Sequence, residues 1–217
     1  MTTVGLSSAP TAPAGARFLS LAPFSALCTQ HRGNLYWLPA PESGFTCDSP
    51  MTDDYLRIES TDQRLWVRTA SANGSMPLPK LLISGPTLNY LELHGNGSFI
   101  ALKPLQVGEL WIELLGAGDL QIEVQTESLR LRILGSGNAI VKGKTMLFDL
   151  KTVGAGDVRA GQLSAQRVLA EIEGSGKVDL RPMEYLRLDM KSSGDVRLFS
   201  RPLSDINIIG AGQLLYQ

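Results

Sequence analysis

The stretch "LLGAGDLQIEV", residues 114–124, decides the fold. Leu114 and Leu115 lead into Gly116-Ala117-Gly118, Asp119 follows, and apolar residues then alternate at Leu120, Ile122 and Val124. Read alone, it resembles part of a nucleotide-binding loop. Such a loop occurs once in a domain, between a strand and a helix. Here the triplet recurs at 95–97, 116–118, 135–137, 154–156, 174–176 and 210–212, with a degenerate copy at Ser192-Ser193-Gly194. The third residues of the triplets fall at 97, 118, 137, 156, 176, 194 and 212, at intervals of 21, 19, 19, 20, 18 and 18. The 116–118 copy also lacks the further glycine and the Lys-Ser/Thr of phosphate loops. A fixed period of this kind is the signature of a repeat architecture, not of a phosphate cradle.

Within each repeat, the residues six, four and two places before the triplet are apolar with few exceptions. They are Leu110, Ile112, Leu114; Leu129, Leu131, Ile133; Phe148, Leu150, Thr152; Val168, Ala170, Ile172; and Leu186, Leu188, Met190. The intervening positions are mainly polar. Period two means a strand with one buried face. Alternation resumes after each corner, at Val158 and Ala160, Val178 and Leu180, Val196 and Leu198. A rung of about 19 residues has a contour of roughly 60 Å, which suits one turn of a coil whose strands stack in parallel. Glycine supplies the backbone angles of the corner. The expected fold is all-β: a single-stranded parallel β-solenoid, or β-helix, with Gly-x-Gly corners and stacked apolar ladders.

The flanking regions are less regular. Residues 1–50 are rich in Ala, Pro, Ser and Thr and show no strand period, so they are expected to form an arm or cap. Residues 51–217 are expected to form the solenoid domain, with regular repeats over 85–217. In its opening part, 55–60 and 64–68 read as strands, 73–79 as a loop, and 81–84 as the start of another strand. The C-terminal segment around Leu214, Leu215 and Tyr216 is expected to leave an open strand edge, a surface that needs covering.

Composition narrows the function. The 217 residues are 43% hydrophobic and 19% charged, with a formal net charge of -1. This balance gives no footprint for nucleic acid. No run of 18 apolar residues is present, so no transmembrane helix is expected. Residues 17–28 make a poor secretion signal: Arg17 is the only basic lead, Pro23 interrupts, and Leu27 precedes Cys28 where lipoprotein cleavage requires a small residue. Cys28 and Cys47 are a candidate disulfide, or equally two buried thiols; their spacing is no metal motif.

Stacking turns equivalent positions into columns. After the triplet come Ser98, Asp119, Asn138, Asp157, Lys177, Asp195 and Gln213, an acidic stripe or a neutralised corner ladder. The ladder is favoured, because Asn138 and Lys177 separate the aspartates. The outward columns place Trp111 over Arg130, Arg130 over Asp149, Glu113 over Arg132, Lys151 over Glu171 and Arg187 over Asp205. Tyr90 and Trp111 are a candidate aromatic platform, and Leu115, Leu134 and Val153 a candidate apolar stripe. His31 and His94 have no evident nucleophile or carboxylate partner. The acids are dispersed among bases rather than clustered as in polysaccharide-cleaving β-helices. A non-enzyme is expected, and no cofactor or metal is implied.

The repeated motif, carried by "LLGAGDLQIEV", "ILGSGNAIV", "TVGAGDVRA", "IEGSGKVDL" and "KSSGDVRL", resembles the bacterial head GIN domain family of auto-transporter adhesins, a domain of unknown function. The resemblance covers roughly residues 55–217. It implies a location in the periplasm, at the outer membrane or at the cell surface, and an adhesin-like or scaffolding role in a larger, secretion-associated assembly. It carries over no active site. Expected partners are other envelope proteins, or further copies meeting through the solenoid ends and the N-terminal arm, with glycans as another ligand class. The rival readings are a self-polymerising scaffold like the bactofilins and a polysaccharide-binding or polysaccharide-acting β-helix.

Overall fold

The structure, a computed structural model, describes residues 18–47, 56–69 and 80–217. The expected loop at 73–79 lies outside the described residues. The described residues contain no helix, and all their strands join one 17-stranded sheet that coils as a β-solenoid.

The regular body is built from β8 (Tyr90–Gly95), β9 (Ser98–Ala101), β10 (Leu105–Gly116), β11 (Leu120–Gly135), β12 (Ala139–Gly154), β13 (Val158–Gly174) and β14 (Val178–Ser192). β11, β12, β13 and β14 each run from one corner to the next, and each long strand pairs in parallel with its sequence neighbour. Corner stands on corner: Gly95, Gly116, Gly135, Gly154, Gly174 and Ser192 are successive register partners. Inside, Leu91, Ile112, Leu131, Leu150, Ala170 and Leu188 form one ladder, each at most 2% exposed. This is the register that the period-two reading requires.

The unequal rung lengths are absorbed between corners. Ile140 pairs with Arg159 but Lys142 with Gln162, so the 20-residue rung carries its extra residue as a bulge. The following rung loses residues between Arg159 and Ser164, whose partners are Asp179 and Arg181. A bulge leaves the core register on either side intact. At the degenerate corner Ser192 replaces the glycine. Its hydroxyl donates to the Gly174 carbonyl at 3.0 Å and accepts from the Gly194 N–H at 2.9 Å.

Of residues 1–50, expected to form an arm or cap, the described part folds as four strands: β1 (Phe18–Ser20), β2 (Ala26–Gln30), β3 (Asn34–Pro39) and β4 (Gly44–Cys47). With β5 (Leu56–Thr61), β6 (Arg64–Thr69) and β7 (Leu81–Gly85), they complete the N-terminal end. β2 lies between β6 and β8, parallel to both, and β3 lies between β7 and β9. The earliest rung in the chain is therefore inserted between two later ones. Leu27 enters the main ladder between Leu65 and Leu91. Antiparallel strands then cover the end: β5 on β6, β4 on β7, and β1 on β4. Short strands broken by Pro23 and Pro41 explain why no period is visible in this sequence.

Of the two readings of Cys28 and Cys47, the structure has the buried thiols, not joined to each other. β2 pairs with β6 and β8, whereas β4 pairs with β1 and β7, so the two residues occupy strands that are not neighbours. Cys47 stands opposite Leu81 among the core residues.

At the other end, β15 (Val196–Leu198) stacks on β14, β16 (Leu203–Ile209) on β14, and β17 (Leu214–Tyr216) on β15. Leu203, Ile208, Ile209, Leu215 and Tyr216 are exposed there, and Leu214 is half-buried.

Candidate functional site

The five residues singled out as an interaction surface share one sheet face. Alternation puts Leu91, Ile112, Leu131 and Leu150 inside, so their neighbours must point outward. β8 presents Tyr90, Glu92 and His94; β10 presents Trp111, Glu113 and Leu115; β11 presents Arg130, Arg132 and Leu134; β12 presents Asp149, Lys151 and Val153. Tyr90 and Trp111 are register partners, and Leu115, Leu134 and Val153 form a continuous outward column. Trp111 is 41% and Leu134 46% exposed, with Tyr90, Leu115 and Val153 half-buried.

The inserted rung adds residues that no sequence column places here. β2 sets Cys28 between Trp66 of β6 and Glu92 of β8. Arg64 lies over both Tyr90 (5.4 Å) and Trp66 (6.0 Å), and Arg68 lies 4.7 Å over Trp66. Alternation in 64–68 marks Trp66 as outward, but its partners come from a pairing that skips along the chain.

The aromatic platform is in fact a stacked column. Tyr90 meets Trp111 edge-on at 5.7 Å, and the Arg130 guanidinium lies 5.0 Å over the Trp111 ring. Guanidinium groups thus lie over both rings, where a sugar would otherwise stack. Beyond them, Arg130 and Arg132 both pair with Asp149, at 3.0 and 3.2 Å, and Lys151 pairs with Glu171 at 2.7 Å. Two expected pairings differ. Glu113 turns to Tyr90 rather than Arg132, and Arg187 meets Asp189 of its own strand at 3.3 Å rather than Asp205.

Glu92 is the hub of the polar part. Its carboxylate accepts from the Tyr90 hydroxyl at 2.8 Å and from the Cys28 thiol at 3.6 Å, and it contacts His94 Nε2. The same hydroxyl lies 2.7 Å from Glu113. Burial works to raise the Glu92 pKa, but the hydrogen bonds from Tyr90, His94 and Cys28 together outweigh it and hold the group below the usual carboxylate range. Burial and both carboxylates push the Tyr90 hydroxyl well above the ordinary phenol value. Burial, then the charge of Glu92, pushes the Cys28 thiol up to about 12. At neutral pH Cys28 therefore stays a thiol, hydrogen-bonded to Glu92.

These groups predict a pH dependence. A carboxylate with a depressed folded-state pKa contributes stability above its unfolded value, lost as pH falls through the folded one. Wild-type protein should therefore lose thermal stability below about pH 4.5, with Glu92→Gln showing a shallower decline. Melting curves at pH 7, 4.5 and 3 check this, and identical slopes for the two proteins would refute it.

The remaining candidates are structural. Asp119 Oδ1 accepts from the backbone N–H and side-chain amide of Asn138, at 3.1 and 2.9 Å. Asn138 Oδ1 accepts from Asp157 N–H, Asp157 Oδ1 from Lys177 N–H, and Asp195 Oδ1 from Gln213 N–H. The acidic stripe is a corner ladder that ties rung to rung from Asp119 to Lys177 and again from Asp195 to Gln213. His31 is buried, with Nδ1 2.8 Å from the Thr69 hydroxyl. Among the described residues, no group of three or more His, Cys, Asp or Glu side chains could hold a metal ion, and no helix is long and apolar enough to cross a membrane.

Solved structures share the architecture. A putative adhesin from Bacteroides fragilis superposes with a TM-score of 0.85 at 20% identity, over 93% of this chain and 96% of that one. A protein from Parabacteroides distasonis described as a putative lipid binding protein gives 0.71 at 22% identity, over 93% and 96%. A putative adhesin from Parabacteroides merdae gives 0.69 at 20%, over 94% and 95%. At these identities the likeness is one of fold. No curated protein matches the sequence. A family model does match over residues 51–202, spanning the Gly-x-Gly corners from Gly95 to Gly194, and by that match the chain belongs to the family described as "Putative auto-transporter adhesin, head GIN domain".

Proposed function

We propose that the protein is a non-enzymatic component of the bacterial envelope or surface that binds another macromolecule through the outward face of β8, β10, β11 and β12. The observation that carries this reading is the gathering of Trp111, Leu134 and their half-buried neighbours Tyr90, Leu115 and Val153 on one face of a continuously hydrogen-bonded sheet. An exposed aromatic and apolar patch bordered by charge has the make-up of a protein contact surface. The family description supports adhesion at the envelope. An adhesin-like or scaffolding part in a larger assembly follows from a rigid body that displays one such face.

The test is capture of envelope proteins from the native cells by the immobilised chain, compared with Trp111→Ala and Leu134→Glu. Both changes are at exposed positions and should leave the fold intact. A specific protein should be retained by wild type and reduced at least tenfold by each variant. Equal capture by all three would overturn the assignment of this face.

Self-association through the β16–β17 end is a second reading, favoured by the exposure of Leu203, Ile209 and Tyr216. It predicts concentration-dependent assembly of the purified chain in light scattering. The polysaccharide readings draw less support, because the guanidinium groups of Arg64 and Arg130 lie over Tyr90 and Trp111.

A further inference from the structure

The last rung of the solenoid leaves both its backbone and its core open. Among the described residues, β16 pairs with β14 alone and β17 with β15 alone, so each keeps one edge of N–H and C=O groups without a neighbouring strand. Register sets Ile206 on Leu188, Ile208 on Met190, Leu214 on Val196 and Tyr216 on Leu198. The four residues behind are buried, whereas Ile208 is 40% and Tyr216 48% exposed, with Ile206 and Leu214 half-buried. These inward positions lack one further layer of strand.

The N-terminal end offers no matching surface. β5 lies against β6 and β4 against β7, and the ladder residues Leu65 and Leu81 beside them are buried. β5 carries Arg57 and Glu59, and Glu59 pairs with Arg68 at 3.4 Å, charges that discourage pairing along an edge. Large exposed apolar residues on β1 to β7 are Phe18 and Leu19 of the three-residue β1, too short to match the seven residues of β16. Head-to-tail stacking, the route to a filament, therefore has no receiving rung. A contact between two C-terminal ends uses the same open surface twice and closes on itself.

β16 has the sequence for such a contact. A two-fold axis normal to its sheet face at Ile206 sets two copies antiparallel. Ile206 then stands opposite Ile206, Ser204 opposite Ile208, Asp205 opposite Asn207, and Leu203 opposite Ile209. Inward residues meet inward residues, the apolar ends of the strand meet each other, and its single charge meets an amide. An axis at Asp205 would instead set two carboxylates face to face, which is destabilising. An axis at Asn207 would set Asp205 against Ile209 and leave Leu203 and Ser204 without partners. We infer, on the reading that this end self-associates, that two copies of the chain join tail to tail through β16, antiparallel about Ile206, into a closed pair.

Light scattering of the purified full chain over a range of concentrations should show a mass rising from 23.4 kDa and levelling at twice that value. A mass that climbs without levelling would overturn the closed pair while leaving self-association standing, and a monomer throughout would overturn both. Cross-linking tests the register. Asp205→Cys and Asn207→Cys are changes at exposed positions that should keep the wild-type circular dichroism, and Cys28 and Cys47 are buried. When the two variants are mixed and oxidised with diamide, a disulfide should join one copy of each, because directly opposite residues lie about 4.5–5.5 Å apart. Either variant alone sets its new thiols on the diagonal, at roughly 7–8 Å, and should cross-link at least fivefold less. A dimer whose mixture cross-links no better than either variant alone would overturn the pairing about Ile206.

Discussion

Leu131→Asp is expected to unfold the protein. Leu131 is 0% exposed and stands in the main ladder between Ile112 and Leu150. Removing the leucine side chain from such a site costs about 2–5 kcal/mol through lost burial and the cavity left behind. A carboxylate in its place must either ionise without a partner or take up a proton and remain poorly hydrogen-bonded, which costs several kcal/mol more. The sum approaches the whole stability of a typical domain, about 5–15 kcal/mol. The loss of the cooperative transition in urea, followed by circular dichroism, checks this. A variant with an unchanged midpoint would mean that the inward register is wrong.

Gly154→Ala should cost nearly as much through a different mechanism. Gly154 has a φ of 136°, a conformation that alanine resists, and a Cβ there would lie 2.0 Å from the Gly135 carbonyl oxygen. Backbone strain alone contributes about 1–3 kcal/mol. Because the corners stack directly, the methyl group meets backbone rather than a movable side chain, and the total should reach about 3–5 kcal/mol. Gly108→Ala is the control: a Cβ there meets nothing within 4 Å. The urea midpoint should fall sharply for the first variant and hardly move for the second. Equal midpoints would remove the corner from the account of stability.

The body was legible because the period that marks the repeat also fixes the register. Once Gly116, Gly135 and Gly154 are aligned, Ile112, Leu131 and Leu150 must face inward together, and Trp111 must stand beside Tyr90 and Arg130. Side-chain pairing within a column was less legible, because a long side chain reaches either across the rungs or along its own strand. Arg187 chose Asp189 over Asp205 for that reason. The inserted rung was not legible. Residues 26–39 carry no corner triplet, and their partners lie on both sides in later sequence. That concealed the contribution of Cys28, and the company of Trp66, Arg64 and Arg68, at the candidate face.

The placement of that rung bears on how the molecule comes apart and how it is made. A linear stack whose rungs follow chain order can unravel from either terminus, one nearest-neighbour interface at a time. Here β2 and β3 are gripped on both flanks, so tension on the chain before residue 26 must break two ladders at once. During synthesis the same strands emerge before the strands they pair with, and wait until residues 64–101 have followed. The domain therefore locks late and opens reluctantly, held at its N-terminal end by strands gripped from both sides.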